Sequence, residues 1–300
     1  MLTPDPAAPL KQMVKRHGIL VGIDSDGCVF DTMEIKQKEC FIPNIIKFWG
    51  LQPIAKYVRE TVEFVNLYSK WRGVNRWPAL IRVFDLLADR QEVKDRNVKV
   101  PELQSLRSWV EKETKLSNAA LRKEVERTKD EELANALAWS EKVNADIADM
   151  VHGIPPFLHV VESLQKLQQV ADMIVVSQTP YDALAREWRE HGIDGYVQVI
   201  AGQEMGSKSE HLRMAMDGRW TSEQVLMIGD ALGDLKAAKA NNALFYPIVP
   251  GSEELSWKRF SEEVLDMVLE GTYAGDAMSR AVSEFERRLP ETPPWMAKNG

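Results

Sequence analysis

The sequence predicts an α/β protein: a parallel sheet covered by helices on both faces, interrupted by an all-helical insert and followed by a helical tail. Three observations predict it. From residue 152 onward, apolar runs of strand length (MIVV, YVQVI, VLMIG, ALFYPIV) alternate with amphipathic stretches (YDALAREWREHG, SEHLRMAMDG, DLKAAKANN). Such alternation is what parallel strands joined by crossover helices produce. An isolated run of the same kind, ILVGI at 19–23, stands far upstream and is apolar on both faces. Between the two, residues 32–151 are dense in Glu, Lys, Arg, Leu, Ala and Trp, with apolar residues at three- and four-residue spacing.

The upstream strand therefore belongs with the sheet that resumes after residue 152. This divides the chain into a first core part at 1–31, a helical insert at 32–151, a second core part at 152–250 and a helical tail at 251–300. Within the insert, YVRETVEFVNLYSKW and LRKEVERTKDEELANALAWSEKV read as amphipathic helices with Glu–Lys and Glu–Arg pairs on the solvated face. DRQEVKDRNVKVP reads as a connection between helices. FLHVVESLQKL opens the second core part as a helix, and the tail carries SWKRFSEEVLDMVLEG and DAMSRAVSEFERRL before a Pro-rich end.

Composition narrows the function classes. Hydrophobic residues at 44% and charged residues at 28% are ordinary for a globular chain of 300 residues. A net charge of -7 offers no broad basic field, which argues against a nucleic-acid partner. No apolar stretch reaches membrane-spanning length, and the first residues lack a signal-peptide core. Only Cys28 and Cys40 occur, too few for a disulfide scaffold, so a reducing cytoplasmic setting is expected.

The chemistry lies at the strand ends. ILVGIDSDGCVFD crowds Asp24, Asp26 and Asp31 where a buried strand stops. Carboxylates that close raise one another's pKa unless a cation sits among them. The MIVV strand leads into Ser177 and Gln178, YVQVI leads through AGQEMG to Lys208, and VLMI leads into Gly229, Asp230 and Asp234. In an open parallel sheet, ligands bind outside the carboxyl ends of the strands, so these loops face one crevice. Asp24 and Asp230 suit Mg²⁺, which takes oxygen ligands and keeps several waters. Lys208 adds a positive charge for a phosphoryl group and Ser177 a hydroxyl donor.

The order DxDG, Ser after a strand, Lys, then GDxxxD resembles the haloacid dehalogenase superfamily of aspartate-nucleophile phosphotransferases, on both sides of the insert. The insert is similar to the mobile cap of its phosphoglycolate-phosphatase-like members. That resemblance implies a Rossmann-like core in which the first and fourth motif strands are neighbours. It also implies that Asp24 is the nucleophile, forming an aspartyl-phosphate, and that Asp26 is the general acid and then the base. The Asp26 backbone carbonyl is implied as a third Mg²⁺ ligand, Asp230 as a direct ligand, and Asp234 as one acting through water or by orienting the loop. Glu204 matches a position that is often acidic. Cys28 stands where relatives usually carry Thr, which puts an oxidisable thiol beside the site.

Each reading has a plainer rival. A calcium loop is excluded by spacing, since glycine comes fourth and no Glu follows at the twelfth place. Asp230 and Asp234 can complement a helix dipole, and Ser207 or Ser209 can cap a helix at SKSE. Arg72 and Arg76, around Gly73 and Asn75 in LYSKWRGVNRWPAL, together with Gln178, are candidate substrate-binding residues. The rival is that Gly73 ends one helix, Asn75 caps the next, and the arginines are solvated or stack on tryptophan. Glu253, Glu254 and Trp257 follow the last strand, where packing of a C-terminal helix is the ordinary expectation. The five histidines show no metal-ligand spacing, and the tryptophans read as packing residues. The sequence thus points to a Mg²⁺-dependent phosphatase of a small phosphorylated metabolite. A phosphomutase with the same residues and a catalytically idle binding protein are the alternatives.

Overall fold

A computed structural model describes residues 5–296. The chain forms two compact units: Met1–Thr32 with Gly153–Leu289, and Met33–His152 with Pro290–Gly300. Among the described residues, no helix is long and apolar enough to cross a membrane.

The first unit is built on five parallel strands: β1 (Ile19–Ile23), β2 (Ala171–Val176), β3 (Val199–Ala201), β4 (Val225–Gly229) and β5 (Leu244–Pro247). Their order is β3-β2-β1-β4-β5, so the chain builds outward from β1 on one side and then crosses to the other. The register sets Ile23 beside Val175 and Ile228. Strand residues alternate between two apolar layers, as a sheet covered on both faces requires. Val21 and Ile23 join Met173, Ile228, Trp188 and Trp257 on one face. Leu20 joins Ile174, Met227, Leu212, Leu235 and Phe285 on the other. The helix Glu253–Arg259 covers the first face, whereas Asp276–Arg288 lies along β5 and reaches both layers, Met278 packing against the first and Phe285 joining the second. The tail's helices belong to the sheet unit as far as Leu289, and the chain from Pro290 belongs to the helical unit.

One helix starts later than its sequence suggests. FLHVVESLQKL is helical only from Val160, after His159 at φ 69°. Pro156 bridges Phe30, and the Phe157 N–H donates to the Val29 carbonyl at 2.9 Å, so these two residues are tied to the turn after Asp26 and Leu158 and His159 turn the chain into the helix.

Every regular element among the second unit's described residues is helical, the longest being Glu131–Met150. The stretch LRKEVERTKDEELANALAWSEKV is two helices: Lys129, at φ 56°, ends one and the Asp130 carboxylate accepts from the Leu133 N–H at 2.9 Å to begin the next. The connection DRQEVKDRNVKVP contains a short helix of its own, Gln91–Asp95. Trp77, Trp139 and Trp49 meet edge to face at the centre of this unit. The C-terminal segment brings Trp295 against Phe64 and under the Arg90 guanidinium, 4.3 Å from the ring centre.

Gly22 in β1 allows the helix Lys208–Met216 to pack closely on the sheet. A Cβ at this position would lie 2.7 Å from Leu212 Cδ2 and 3.1 Å from Val176 Cγ2. Overpacking of this kind costs about 1–3 kcal/mol. Gly22→Ala is therefore expected to lower the urea-unfolding free energy by that amount, and an unchanged midpoint would contradict the close approach.

Candidate active site

The ladder between β1 and β4 runs one residue past the strand: the Asp24 N–H donates to the Ile228 carbonyl at 3.0 Å. Asp24 thus leaves β1 beside the end of β4, where Asp230 follows Gly229. This is where the strand order reverses, the place where open parallel sheets bind ligands. Asp24, Asp230 and Asp234 each present a carboxylate oxygen, all within 4.8 Å of one another, and all three residues are buried. Asp234 is also held by its own helix start, its Oδ2 accepting from the Ala231 N–H at 3.0 Å. It packs so closely on Gly229 that a Cβ there would stand 2.3 Å from its Cγ. Only glycine leaves room for this carboxylate.

Lys208 is the first residue of its helix, and a capping box between Ser207 and Glu210 fixes that start. Capping and chemistry coincide, because Ser207 is the cap and Lys208 is thereby aimed inward. Its ammonium donates to Asp24 Oδ2 and to Asp234 Oδ1, each at 2.7 Å. Burial pushes the Asp24 carboxyl well up; Lys208 opposes the rise, and Asp234 and Asp230 add to it. Asp234 is raised by burial against the pull of Lys208, with Asp230 adding to the rise. Burial alone would lower the lysine, but Asp234 and Asp24 outweigh it and hold the ammonium protonated.

The Asp26 side chain stands outside this cluster. Its Oδ2 accepts from the Thr179 hydroxyl at 2.7 Å and its Oδ1 from the Thr32 hydroxyl. These two threonines escaped the sequence reading. Thr179 was visible in SQTP, but nothing in a single sequence aims a hydroxyl across 153 positions. Ser177 is buried where β2 ends; its N–H continues the sheet to Ala201 and its Oγ accepts from the Thr179 N–H at 3.1 Å. Gln178 is exposed and donates to the Gly206 carbonyl at 2.9 Å, tying its loop to the one before Lys208. Glu204 accepts from the Tyr181 N–H at 3.0 Å and so secures the start of the Tyr181–Glu190 helix.

Trp257 is fully buried and donates its indole N–H to the Cys28 carbonyl at 2.7 Å, so its role exceeds helix packing. Glu253 accepts from the Gly251 N–H in its own turn, and Glu254 is exposed. The structure corrects the expectation of an oxidisable Cys28. Its side chain is fully buried, and burial first, then Asp230 and Asp24, push the thiol up and away from the reactive thiolate.

Arg72 and Arg76 lie in the helical unit and are engaged within it. Arg72 is buried and donates to the Leu67 carbonyl at 3.0 Å. Arg76 donates to the Ser140 hydroxyl at 2.7 Å and to Asn144 Oδ1 at 2.8 Å, with its guanidinium over the Phe41 ring. Asn75 caps the helix Arg76–Asp89 by accepting from the Trp77 N–H.

A family profile described as haloacid dehalogenase-like hydrolase matches residues 75–246, more than half of the chain. The match includes Ser177, Lys208, Asp230 and Asp234 and begins after Asp24 and Asp26. No curated protein matches the chain. Among solved structures, a haloacid dehalogenase-like family hydrolase from Streptococcus pneumoniae is 12% identical, over 80% of this chain and 90% of its own, with a TM-score of 0.42. A haloacid dehalogenase-like family hydrolase from Xanthomonas campestris is 11% identical over 88% of this chain and 97% of its own, with a TM-score of 0.43. A HAD-superfamily hydrolase from Geobacter sulfurreducens is 16% identical over 78% and 90%, with a TM-score of 0.42. At these scores the structural likenesses carry no inference, and the family assignment rests on the profile.

Behind the cluster, His211 lies three residues after Lys208 in the same helix and is fully buried. Burial, then the Lys208 charge, pulls its pKa from 6.5 down to about 4. Between those values the unfolded chain binds a proton that the native chain refuses, so this contribution to stability is full at neutral pH and is lost as pH falls from 6.5 towards 4. Urea unfolding at pH 7 and pH 4.5 should show the wild type losing about 2 kcal/mol more than His211→Leu. Equal losses would contradict a buried neutral imidazole.

Proposed function

The chain belongs to the haloacid dehalogenase-like hydrolases, and from that premise we propose that it is a Mg²⁺-dependent phosphohydrolase acting through an aspartyl-phosphate on Asp24. Its substrate class is the small phosphorylated metabolite, and its setting the cytoplasm. The observation that carries the reading is Lys208, which spans Asp24 and Asp234 beside Asp230 at the switch in strand order. One cation among three buried carboxylates leaves a set of hard oxygen donors in excess of positive charge, and such a set fits Mg²⁺. Asp24, Asp230 and Asp234 are the side chains that would hold the ion. When bound, it supplies positive charge that keeps the carboxylates ionised and neutralises phosphoryl oxygens.

The chain's own residues divide the remaining work. An Asp24 carboxylate oxygen bonds to phosphorus in line as the bond to the ester oxygen breaks. Asp26, oriented by Thr32 and Thr179, gives its proton to the departing alkoxide. It then takes a proton from water, whose oxygen attacks phosphorus and releases Asp24 and inorganic phosphate. The Ser177 hydroxyl and the Lys208 ammonium bind phosphoryl oxygens. In this reading the helical unit takes the part of the cap, and selection of the leaving group falls to it.

Purified protein is expected to hydrolyse p-nitrophenyl phosphate with Mg²⁺, to stop with EDTA, and to lose roughly 1000-fold or more in kcat as Asp24→Asn. Metal-dependent turnover that survives Asp24→Asn would contradict the mechanism. A wild type that neither turns over phosphate esters nor binds beryllofluoride with Mg²⁺ would overturn the function.

A further inference from the structure

Two tryptophans from different helices direct their indole N–H groups at one short turn. Trp188, in Tyr181–Glu190, donates to the Ser25 hydroxyl at 3.0 Å, and that hydroxyl donates onward to Glu187 Oε2 at 3.2 Å. Trp257, in Glu253–Arg259, donates to the Cys28 carbonyl at 2.7 Å. Both rings are fully buried in the same apolar layer as Val21 and Ile23. Between the two contacts lie Asp26 and Gly27, and Asp24 directly precedes the first. The Ser25 carbonyl closes the turn by accepting from the Cys28, Val29 and Phe30 N–H groups at 3.3, 2.9 and 3.2 Å, and the Gly27 N–H donates to the Phe30 carbonyl at 2.8 Å.

Packing alone does not produce this. Trp139 is as deeply buried, and its indole nitrogen has no hydrogen-bond partner. Both contacts on the turn instead use the polar end of the ring, one on each side of Asp26. Trp257 moreover lies beyond the stretch that matches the family profile, which ends at residue 246, so the C-terminal extension supplies this restraint.

We propose that Trp188 and Trp257 are positioning residues that clamp the Ser25–Cys28 turn and so fix the separation of the Asp24 and Asp26 carboxylates. The proposal rests on the phosphohydrolase reading for its kinetic consequence and on geometry alone for its structural one. Attack by Asp24 and protonation by Asp26 must be aligned on the same ester, and misplacement by an ångström costs about 100-fold. The burden falls on Asp26, which follows Ser25 directly. It falls most heavily on esters whose leaving group needs the proton.

The test is Trp257→Phe, which keeps the ring's bulk and removes the donor, with Trp188→Phe beside it. On p-nitrophenyl phosphate, whose leaving group departs unassisted, kcat/KM, which ends at phosphoryl transfer to Asp24 and so omits the later base role of Asp26, should stay within about tenfold of wild type. On glycerol 2-phosphate kcat/KM should fall about 100-fold. An equal effect on the two esters, or none, would overturn the clamp. A second arm needs no substrate: amide hydrogen exchange at Cys28, Val29 and Phe30 should quicken at least about tenfold in the variants while β2 and β4 exchange as in wild type. Exchange unchanged in the turn, or quickened everywhere alike, would also overturn it. If a tryptophan variant does not fold, Ser25→Ala removes the acceptor of Trp188 instead and is read in the same way. A wild type silent on every phosphate ester would sink the hydrolase reading, while the exchange arm would still decide the clamp.

Discussion

Everything at the carboxyl end of this sheet depends on the ammonium of Lys208. Asp24, Asp230 and Asp234 are buried within 4.8 Å of one another, an arrangement that repels itself. Lys208 reaches two of the three at 2.7 Å and offsets their repulsion inside the protein. Removing one partner from such a buried group typically costs about 3–5 kcal/mol. The same charge that stabilises the cluster is also the one a phosphoryl group would meet. Fold and chemistry thus draw on a single side chain.

The surrounding structure reads as provision for that contact. The strand order reverses between β1 and β4, which brings Asp24 and Asp230 to adjacent ends. Gly229 gives Asp234 the space a side chain would take, and the capping box at Ser207 fixes where the Lys208 helix begins. Gly22 lets that helix settle on the sheet through Leu212. Threonine hydroxyls hold Asp26 apart from the cluster, so the two aspartates of one turn sit in different surroundings. Environments that differ in this way are how neighbouring carboxylates come to do different work.

Much of this was legible in the sequence because it is periodic or local. Parallel strands buried on both faces are continuous apolar runs, and the residues after them lie at the carboxyl end of the sheet, so Asp24, Lys208, Asp230 and Asp234, which the fold brings together, and Ser177 at the end of β2 could be named as candidates. What stayed hidden depends on distant partners. Thr32 and Thr179 look like any loop threonines, and Trp188 and Trp257 like any apolar helix face, until the fold brings them to the turn. The late start at Val160 is imposed by contacts with Val29 and Phe30, more than 120 positions upstream. The sharing of the tail was equally invisible, since Phe285 and Trp295 carry no mark of which unit each will pack against. In the helical insert, amphipathic periodicity gave the helices but not their ends, because Lys129 adopts a left-handed conformation that its residue type does not announce.

The central claim is that the phosphoryl group is transferred to one side chain, the Asp24 carboxylate. Rapid quenching during turnover of p-nitrophenyl phosphate with Mg²⁺, followed by borohydride reduction and peptide mass spectrometry, tests it most directly. An aspartyl-phosphate is reduced to homoserine, whereas a free carboxylate is not. The account predicts homoserine at position 24, dependent on substrate and on Mg²⁺, and at no other aspartate. Steady turnover with Asp24 recovered intact, or with the label on Asp26, would contradict it.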